Sequence, residues 1–529
     1  MAARGRTTDP HIFVVEGSAG GAAAYRTRDG RYCRFGAPRD LERSTGLASF
    51  DDLPRLERPP AGWLFEGDCS APSVELVSLT SNGPAYGVFS VGQHIVANRR
   101  GIFLTHSSQV LLMPGAASEA AAARMLRYTW HLLRVDPETL EQTRIFSATE
   151  PARIPLVESD EADDLFLLYP EFLAIGTTGG PQYRYRSRFL KFSASAGYRL
   201  EIDKALPEII FSEAKYTAYY DRARQVFYYS GASYGDTFFV IKPHGEIIDR
   251  HQIAKDGTRG YFEYPRMAMD DSGNLYLAWT NGRISADPKT GRSSRLTRGF
   301  PSIHYLWSPD GGRTWRNVGS PPERVLNLPV HADDVGAAGN LIREADELFE
   351  VEVNPYRPGN FLADFAVSRG RLSFAYLSEG ILAPQGAEGV DFLRPRQYRT
   401  TQRQHFIQID AASGRRVIDI KPRITTTGDP VYYPEGAFSR DDRTGDTYYV
   451  SVDAAKQLVV IKPERAAGRF REVAKADLAV DIAHRLPIVH ITAARNVTAD
   501  GYLIGTFALK KGEVERPTYA QYFFRVRVR

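Results

Sequence analysis

Cysteine and methionine are scarce in this 529-residue chain, with two of the first, Cys33 and Cys69, and five of the second. Two thiols exclude a disulfide-stapled framework; they allow at most one Cys33–Cys69 bridge, and free thiols fit this background better. Paired-cysteine zinc motifs, a P-loop, a dinucleotide-binding glycine fingerprint and a Gly-x-Ser-x-Gly elbow are all missing, so no cofactor and no metal is expected. No apolar run approaches the ~20 residues needed to span a bilayer. The opening ten residues, Met1 to Pro10, contain no secretory h-region. As written, the chain reads as cytoplasmic, acting outside the cell only through an unrecognised export route. A dominant charge sign is also lacking: 67 basic and 63 acidic residues leave a net charge of +4. Neither nucleic acid nor membrane is therefore an expected partner.

What is abundant is strand and turn chemistry. Aromatic residues make up 12% of the chain, with 28 Tyr and 28 Phe, alongside 45 Gly and 32 Pro. That mixture suits many short strands joined by tight turns. A loose repeat runs through the sequence: an apolar stretch, an Asp/Gly turn, then an alternating aromatic strand. Copies read at Leu156–Tyr169, Tyr219–Tyr229, Met267–Trp279, Phe365–Tyr376, Phe438–Val450 and Ala494–Gly505, with Phe89–Ala97 as a degenerate seventh. A second hairpin often follows, as at Trp130–Asp136, Phe238–Pro243, His405–Asp410, Leu458–Pro463 and Tyr522–Val528.

Two hairpins make a four-stranded blade. Units starting near 88, 153, 213, 262, 361, 432 and 488 predict an all-β propeller of seven blades, six or eight being the alternatives. The propeller is placed at 85–529, behind an irregular N-terminal extension at 1–84. His11–Val15 is the expected ring-closing strand, Ser118–Leu126 the best helix candidate, and 281–300 and 380–402 read as long surface loops.

Residues 308–315, Ser-Pro-Asp-Gly-Gly-Arg-Thr-Trp, fit Ser-x-Asp-x-Gly-x-Thr-Trp at every fixed position. Asp310 can accept from backbone N–H groups ahead of it, Gly312 can take positive φ, and Trp315 is left to bury its ring. This octapeptide resembles the Asp box, or BNR repeat, of sialidase-like β-propellers. The resemblance is specific over 308–315 and diffuse over roughly 85–529. It implies a carbohydrate-active propeller that cleaves an acidic glycan, sialate- or uronate-containing, by hydrolase or lyase chemistry. The alternative it implies is a non-catalytic propeller that binds glycan or protein. A sialidase of this look carries an arginine triad and an aromatic-Arg-Ile-Pro segment. Arg153-Ile154-Pro155 matches the segment without its aromatic, and a whole blade precedes it.

An anionic sugar calls for arginine, whose planar fork grips a carboxylate. β-Elimination adds a Tyr or His as base and acid, and hydrolysis adds paired carboxylates or an assisted tyrosine. Inner-strand positions near one channel mouth are the places to look. On that basis Tyr264, His304, Asp333 and Asp334 are the candidate catalytic residues. Arg266, His94, Asn98, Arg99, Tyr305, His331, Arg153, Glu435 and Arg495 are the candidate glycan-binding residues. Each also has a structural reading: a tyrosine packed on a proline, a core histidine, a solvated acidic turn, or an arginine at a blade edge.

Overall fold

A computed structural model of the chain describes residues 12–17, 21–28, 31–34, 55–56, 64–68, 74–79, 92–111, 127–148, 154–176, 182–211, 215–232, 235–255, 261–286, 293–317, 325–331, 340–343, 359–382, 399–420, 424–427, 436–452, 457–464, 469–477, 488–511 and 518–528. All its regular elements are strands, and they form the seven blades of a propeller. Blade 1 is Ile95–Asn98, Gly101–Leu111, Arg127–Val135 and Gln142–Ser147. Blade 2 is Leu156–Ser159, Leu165–Gly176, Gln182–Ser193 and Arg199–Phe211, and blade 3 is Tyr216–Asp221, Val226–Gly231, Phe238–Ile241 and Ile247–His251. Blade 4 is Tyr261–Met269, Leu275–Ala286, Ser293–Ser308 and Asn340–Arg343, and blade 5 is Gly359–Ser368, Arg371–Leu382, Arg399–Asp410 and Arg416–Ile420. Blade 6 is Ala437–Asp441, Asp446–Val452, Gln457–Glu464 and Arg469–Asp477.

Blade 7 is closed from the far end of the chain. Its strands Ile488–Ala493, Tyr502–Lys511 and Thr518–Arg527 are completed by Val74–Ser78, which pairs Val77 with Phe523 and Leu76 with Phe524. Ring closure therefore belongs to Val74–Ser78, not to His11–Val15. Ile12–Gly17 instead sits in a separate five-stranded N-terminal sheet. Two other expectations need amending. Of the stretches read as loops, 281–300 is strand through Ala286 and from Ser293 in blade 4, and 380–402 is strand only at its ends, through Leu382 and from Arg399 in blade 5, with 287–292 and 383–398 outside the described residues. The helix candidate Ser118–Leu126 lies outside the described residues.

In blades 2, 3, 4 and 6 the repeat read in the sequence is an aspartate-capped turn. Where the innermost strand turns back, Asp160 accepts from the N–H groups of Ala162 and Asp164, and Asp270 from those of Ser272 and Asn274. Asp441 accepts from Arg443 in the same way. Asp310 caps the 308–315 turn: its carboxylate accepts from the Thr314 N–H at 2.9 Å, the Thr314 hydroxyl at 2.7 Å and the Ser308 hydroxyl at 2.8 Å. Gly312 has φ +92, and a Cβ there would lie 2.4 Å from the Phe238 ring, so both conformation and space demand glycine. Trp315 is fully buried, donates to the Gly312 carbonyl at 2.9 Å and meets Phe238 edge-on at 5.2 Å. The turn thus pins blade 4 to blade 3.

The core is divided among the blade interfaces. Seven apolar clusters each draw on two neighbouring blades, from Phe103, Trp130 and Leu167 between blades 1 and 2 to Leu104, Leu133 and Phe523 between blades 1 and 7. This is how alternating strands that are apolar on both faces bury both faces.

The mouth where the inner strands begin is called the upper mouth. Strand lengths around it are unequal. Ile95 pairs with Leu104, yet the second strand of blade 1 runs on to Leu111. Leu156 pairs with Leu168, yet its neighbour runs on to Gly176, about 26 Å further at ~3.3 Å per residue. Tyr216 of blade 3 pairs with Gly231, the last residue of its partner strand. Blades 1 and 2 therefore raise long arms over the upper mouth, and among the described residues blade 3 raises none.

Candidate active site

The channel holds a cavity of 1120 Å³ lined by all seven blades. Its wall is a network of ions held by partners. Arg495 of blade 7 pairs with Glu158 of blade 2, lies over the Tyr219 ring at 4.5 Å, and donates its backbone N–H to Gln93 at 2.9 Å. Gln93 in turn donates to Glu158 at 3.2 Å. Arg266 donates to the Ala363 carbonyl and lies 3.4 Å from Asp364, which accepts the Phe438 N–H at 2.6 Å. Burial raises the carboxyl pKa of both Glu158 and Asp364, against the pull of Arg495 and Arg266. His94 holds the Pro155 carbonyl through Nδ1 at 2.9 Å. Burial, with Arg266 adding to it, pushes His94 down to about 4, so the imidazole is neutral at neutral pH.

The structure thus brings together five of the residues singled out from sequence, His94, Asn98, Arg99, Arg266 and Arg495, along this cavity, whereas Tyr264, His304, Tyr305 and His331 lie outside its lining. Asn98 and Arg99 sit at the lower mouth, where Asn98 donates to Ser159 and the Asp163 carbonyl, and Arg99 grips the Asp163 carboxylate at 3.0 Å. They tie blade 1 to blade 2. Tyr264 is buried at a bulge with φ +51, and its ring lies 4.3 Å from the Lys215 ammonium, which is itself paired with Glu263 in the interior. His304 is buried on the third strand of blade 4, stacked on Trp279 at 5.5 Å, and burial pushes it down to about 4. Tyr305 belongs to the core between blades 4 and 5, against Phe374 at 5.1 Å. His331 pairs through its backbone with Lys255. Arg153, Asp333, Asp334 and Glu435 lie outside the described residues.

Two further clusters stand at the upper mouth, at the bases of the long arms. In blade 1, His106 and His131 are cross-strand partners with ring centroids 5.3 Å apart. Leu104 is level with the first residue of the inner strand, so His106 lies just above it. His131 contacts the Ser147 hydroxyl through Nδ1 at 2.7 Å. Burial, helped by Arg144, holds its pKa below the usual imidazole value.

In blade 2, Tyr169 and Arg188 are cross-strand partners at the same height, just above Leu168. The Tyr169 ring packs edge-on to Trp130 at 5.3 Å, the residue next to His131. Arg188 is held by Asp203 through two bonds of 2.6 and 2.7 Å, and by Glu171 at 3.2 Å; Arg186 also pairs with Glu171, at 2.7 Å. The Asp203 bonds come first among the causes that raise the Arg188 pKa, so the guanidinium is always charged.

Sequence reasoning missed these four residues because it looked to innermost strands, whereas they occupy second and third strands. The signal was present: Trp130-His131-Leu132 and Phe189-Leu190 beside Arg188 put titratable groups at apolar-rich strand positions.

No protein-family model matches the chain, and no curated protein sequence matches it. Solved structures do resemble it. A polysaccharide lyase of family PL25, an ulvan lyase bound to -[GlcA(1-4)Rha3S]-, superposes with a TM-score of 0.53 at 10% identity, covering 84% of this chain and 95% of its own. A second structure of a PL25 ulvan lyase gives 0.54 at the same identity and coverage. At this identity the likeness establishes the fold.

Proposed function

We propose that the chain is a carbohydrate-active propeller that cleaves a uronate-containing glycan by β-elimination at the upper mouth. The observation that carries this reading is the pairing of Tyr169 with Arg188, level with the His106–His131 pair on the neighbouring blade. Elimination removes the proton on the carbon next to the uronate carboxylate, forms the C4–C5 double bond, breaks the C4–O4 bond and returns a proton to O4. Arg188, fixed by Asp203 and Glu171, is suited to neutralise the carboxylate and acidify that proton. Tyr169, the cross-strand partner of Arg188 on the same face, is suited to take that proton and to return one to O4. The arms of blades 1 and 2 give a polymer a wall to lie against.

The ulvan lyase of the same fold, bound to a glucuronate-bearing unit, supports this substrate class. The 308–315 turn, with every bond of its cap in place, supports membership of the BNR/Asp-box propellers. The test is incubation with uronate polysaccharides and, separately, sialosides. Elimination yields an ultraviolet-absorbing unsaturated uronate, whereas hydrolysis yields reducing ends without it. Loss of that absorbance in Tyr169→Phe and Arg188→Ala, with folding intact, places the chemistry at these residues.

A further inference from the structure

Tyr169 and Glu171 lie two apart on the second strand of blade 2, and their direct cross-strand partners are Arg188 and Arg186. All four therefore share one face of the arm. That face looks toward blade 1: Tyr169 belongs to the core between blades 1 and 2, while Ser187, on the opposite face, reaches Tyr229 of blade 3. Asp203 joins them from the fourth strand, where it stands opposite Leu190.

The two carboxylates hold Arg188 unequally. Asp203 grips it from the fourth-strand side, accepting from Nε at 2.6 Å and Nη2 at 2.7 Å. Glu171 meets it through Oε1 alone, accepting from Nη1 at 3.2 Å. The other oxygen, Oε2, is committed to Arg186, whose Nε and Nη2 donate to it at 3.2 and 2.7 Å. Glu171 is buried, so it cannot turn to water on letting go of Arg188. It needs a second cation at hand, and Arg186 is that cation. Glu171 also stands on the strand and face of Tyr169. That is the side from which a uronate carboxylate must reach Arg188 if its neighbouring proton is to meet the phenol.

We propose that Glu171 is a specificity-determining residue: a resident carboxylate that keeps the place of the substrate's on Arg188 and yields it on binding, while Arg186 retains Glu171. This rests on the elimination reading above. Asp203 is the fixed anchor of the guanidinium, and Glu171 is the exchangeable one. A neutral sugar cannot displace a carboxylate from an arginine, whereas a uronate replaces it like for like, so the exchange selects charged sugars.

The test is kinetics and titration calorimetry on the full chain, as wild type, Glu171→Gln, Asp203→Asn and Arg186→Gln. The ligands are a glucuronate polysaccharide and the same polymer with its carboxylates reduced to alcohols. Glu171→Gln removes the competing charge and should lower KM for the uronate polymer about three- to tenfold, the worth of one partly screened like-charge contact, with no matching gain on the reduced polymer. Asp203→Asn should act with the opposite sign, raising KM and lowering kcat. Arg186→Gln leaves Glu171 to Arg188 and should raise KM by a factor similar to the first. A folded Glu171→Gln variant whose KM fails to fall overturns the inference, since Glu171 is then a second brace like Asp203. An equal gain on both polymers overturns it too, since no exchange of carboxylates is then involved. A wild type that binds the uronate polymer without cleaving it overturns the elimination reading alone, and the calorimetric affinities of the variants then decide the exchange by the same signs. A wild type that binds neither polymer overturns both.

Discussion

Replacing His304 with phenylalanine should make the protein more tolerant of acid. The imidazole is buried against Trp279, and burial pushes it from 6.5 to about 4. The folded state therefore keeps His304 neutral in a range where the unfolded chain takes up a proton. Stability is untouched above the unfolded value and is lost as pH falls from about 6.5 toward 4. A difference of that size is worth about 3 kcal/mol once pH is below both values, and about 2 kcal/mol near pH 5. Phenylalanine keeps a ring on Trp279 and cannot titrate. Denaturant unfolding of wild type and His304→Phe at about pH 7.5 and about pH 5 gives the double difference directly. Wild type should lose about 2 kcal/mol more than the variant over that interval. Glu158 and Asp364, whose carboxyls are raised by burial, act with the opposite sign, but they are common to both proteins and cancel. Equal losses in the two proteins would refute the claim that His304 is buried in the neutral form.

Further outcomes follow from the same structure. Trp315→Ala should cost about 3–5 kcal/mol, because it empties a buried site between blades 3 and 4, and thermal unfolding should show it as a clear drop in Tm. Arg495→Met should cost about 3 kcal/mol by leaving Glu158 unpaired among Gln93 and Tyr219, and adding Glu158→Gln should recover part of it in a double-mutant cycle. Removing residues 1–70 should leave the ring closed, whereas removing 1–80 deletes Val74–Ser78 and should abolish cooperative unfolding.

Much of the architecture was legible because the turns announce themselves. Blade starts read near 153, 213, 262 and 488 fall close to the observed inner strands beginning at Leu156, Tyr216, Tyr261 and Ile488. The first three are followed by turns in which Asp160, Asp221 and Asp270 cap their own backbone, and the fourth by a turn that Thr498 caps, and that chemistry is local. Ring closure was not legible, since Val74–Ser78 pairs with a strand some 450 residues away, as the Arg525–Glu75 ion pair across it shows. The Tyr169–Arg188 and His106–His131 pairs depend on register between strands, which a single sequence does not state. Arg266 and Arg495 were found from sequence as arginines near the axis, but their carboxylate partners come from other blades, and only the closed ring reveals that they hold the channel wall together.

The most direct test is the ultraviolet signal of an unsaturated uronate, followed as wild type, Arg188→Ala and Tyr169→Phe act on a glucuronate-containing polysaccharide. The account predicts a steady rise for wild type and a loss of at least about a hundredfold in each variant, the scale of removing a transition-state charge partner or a proton donor. Reducing ends released by wild type without that absorbance, or variants as active as wild type, would contradict it.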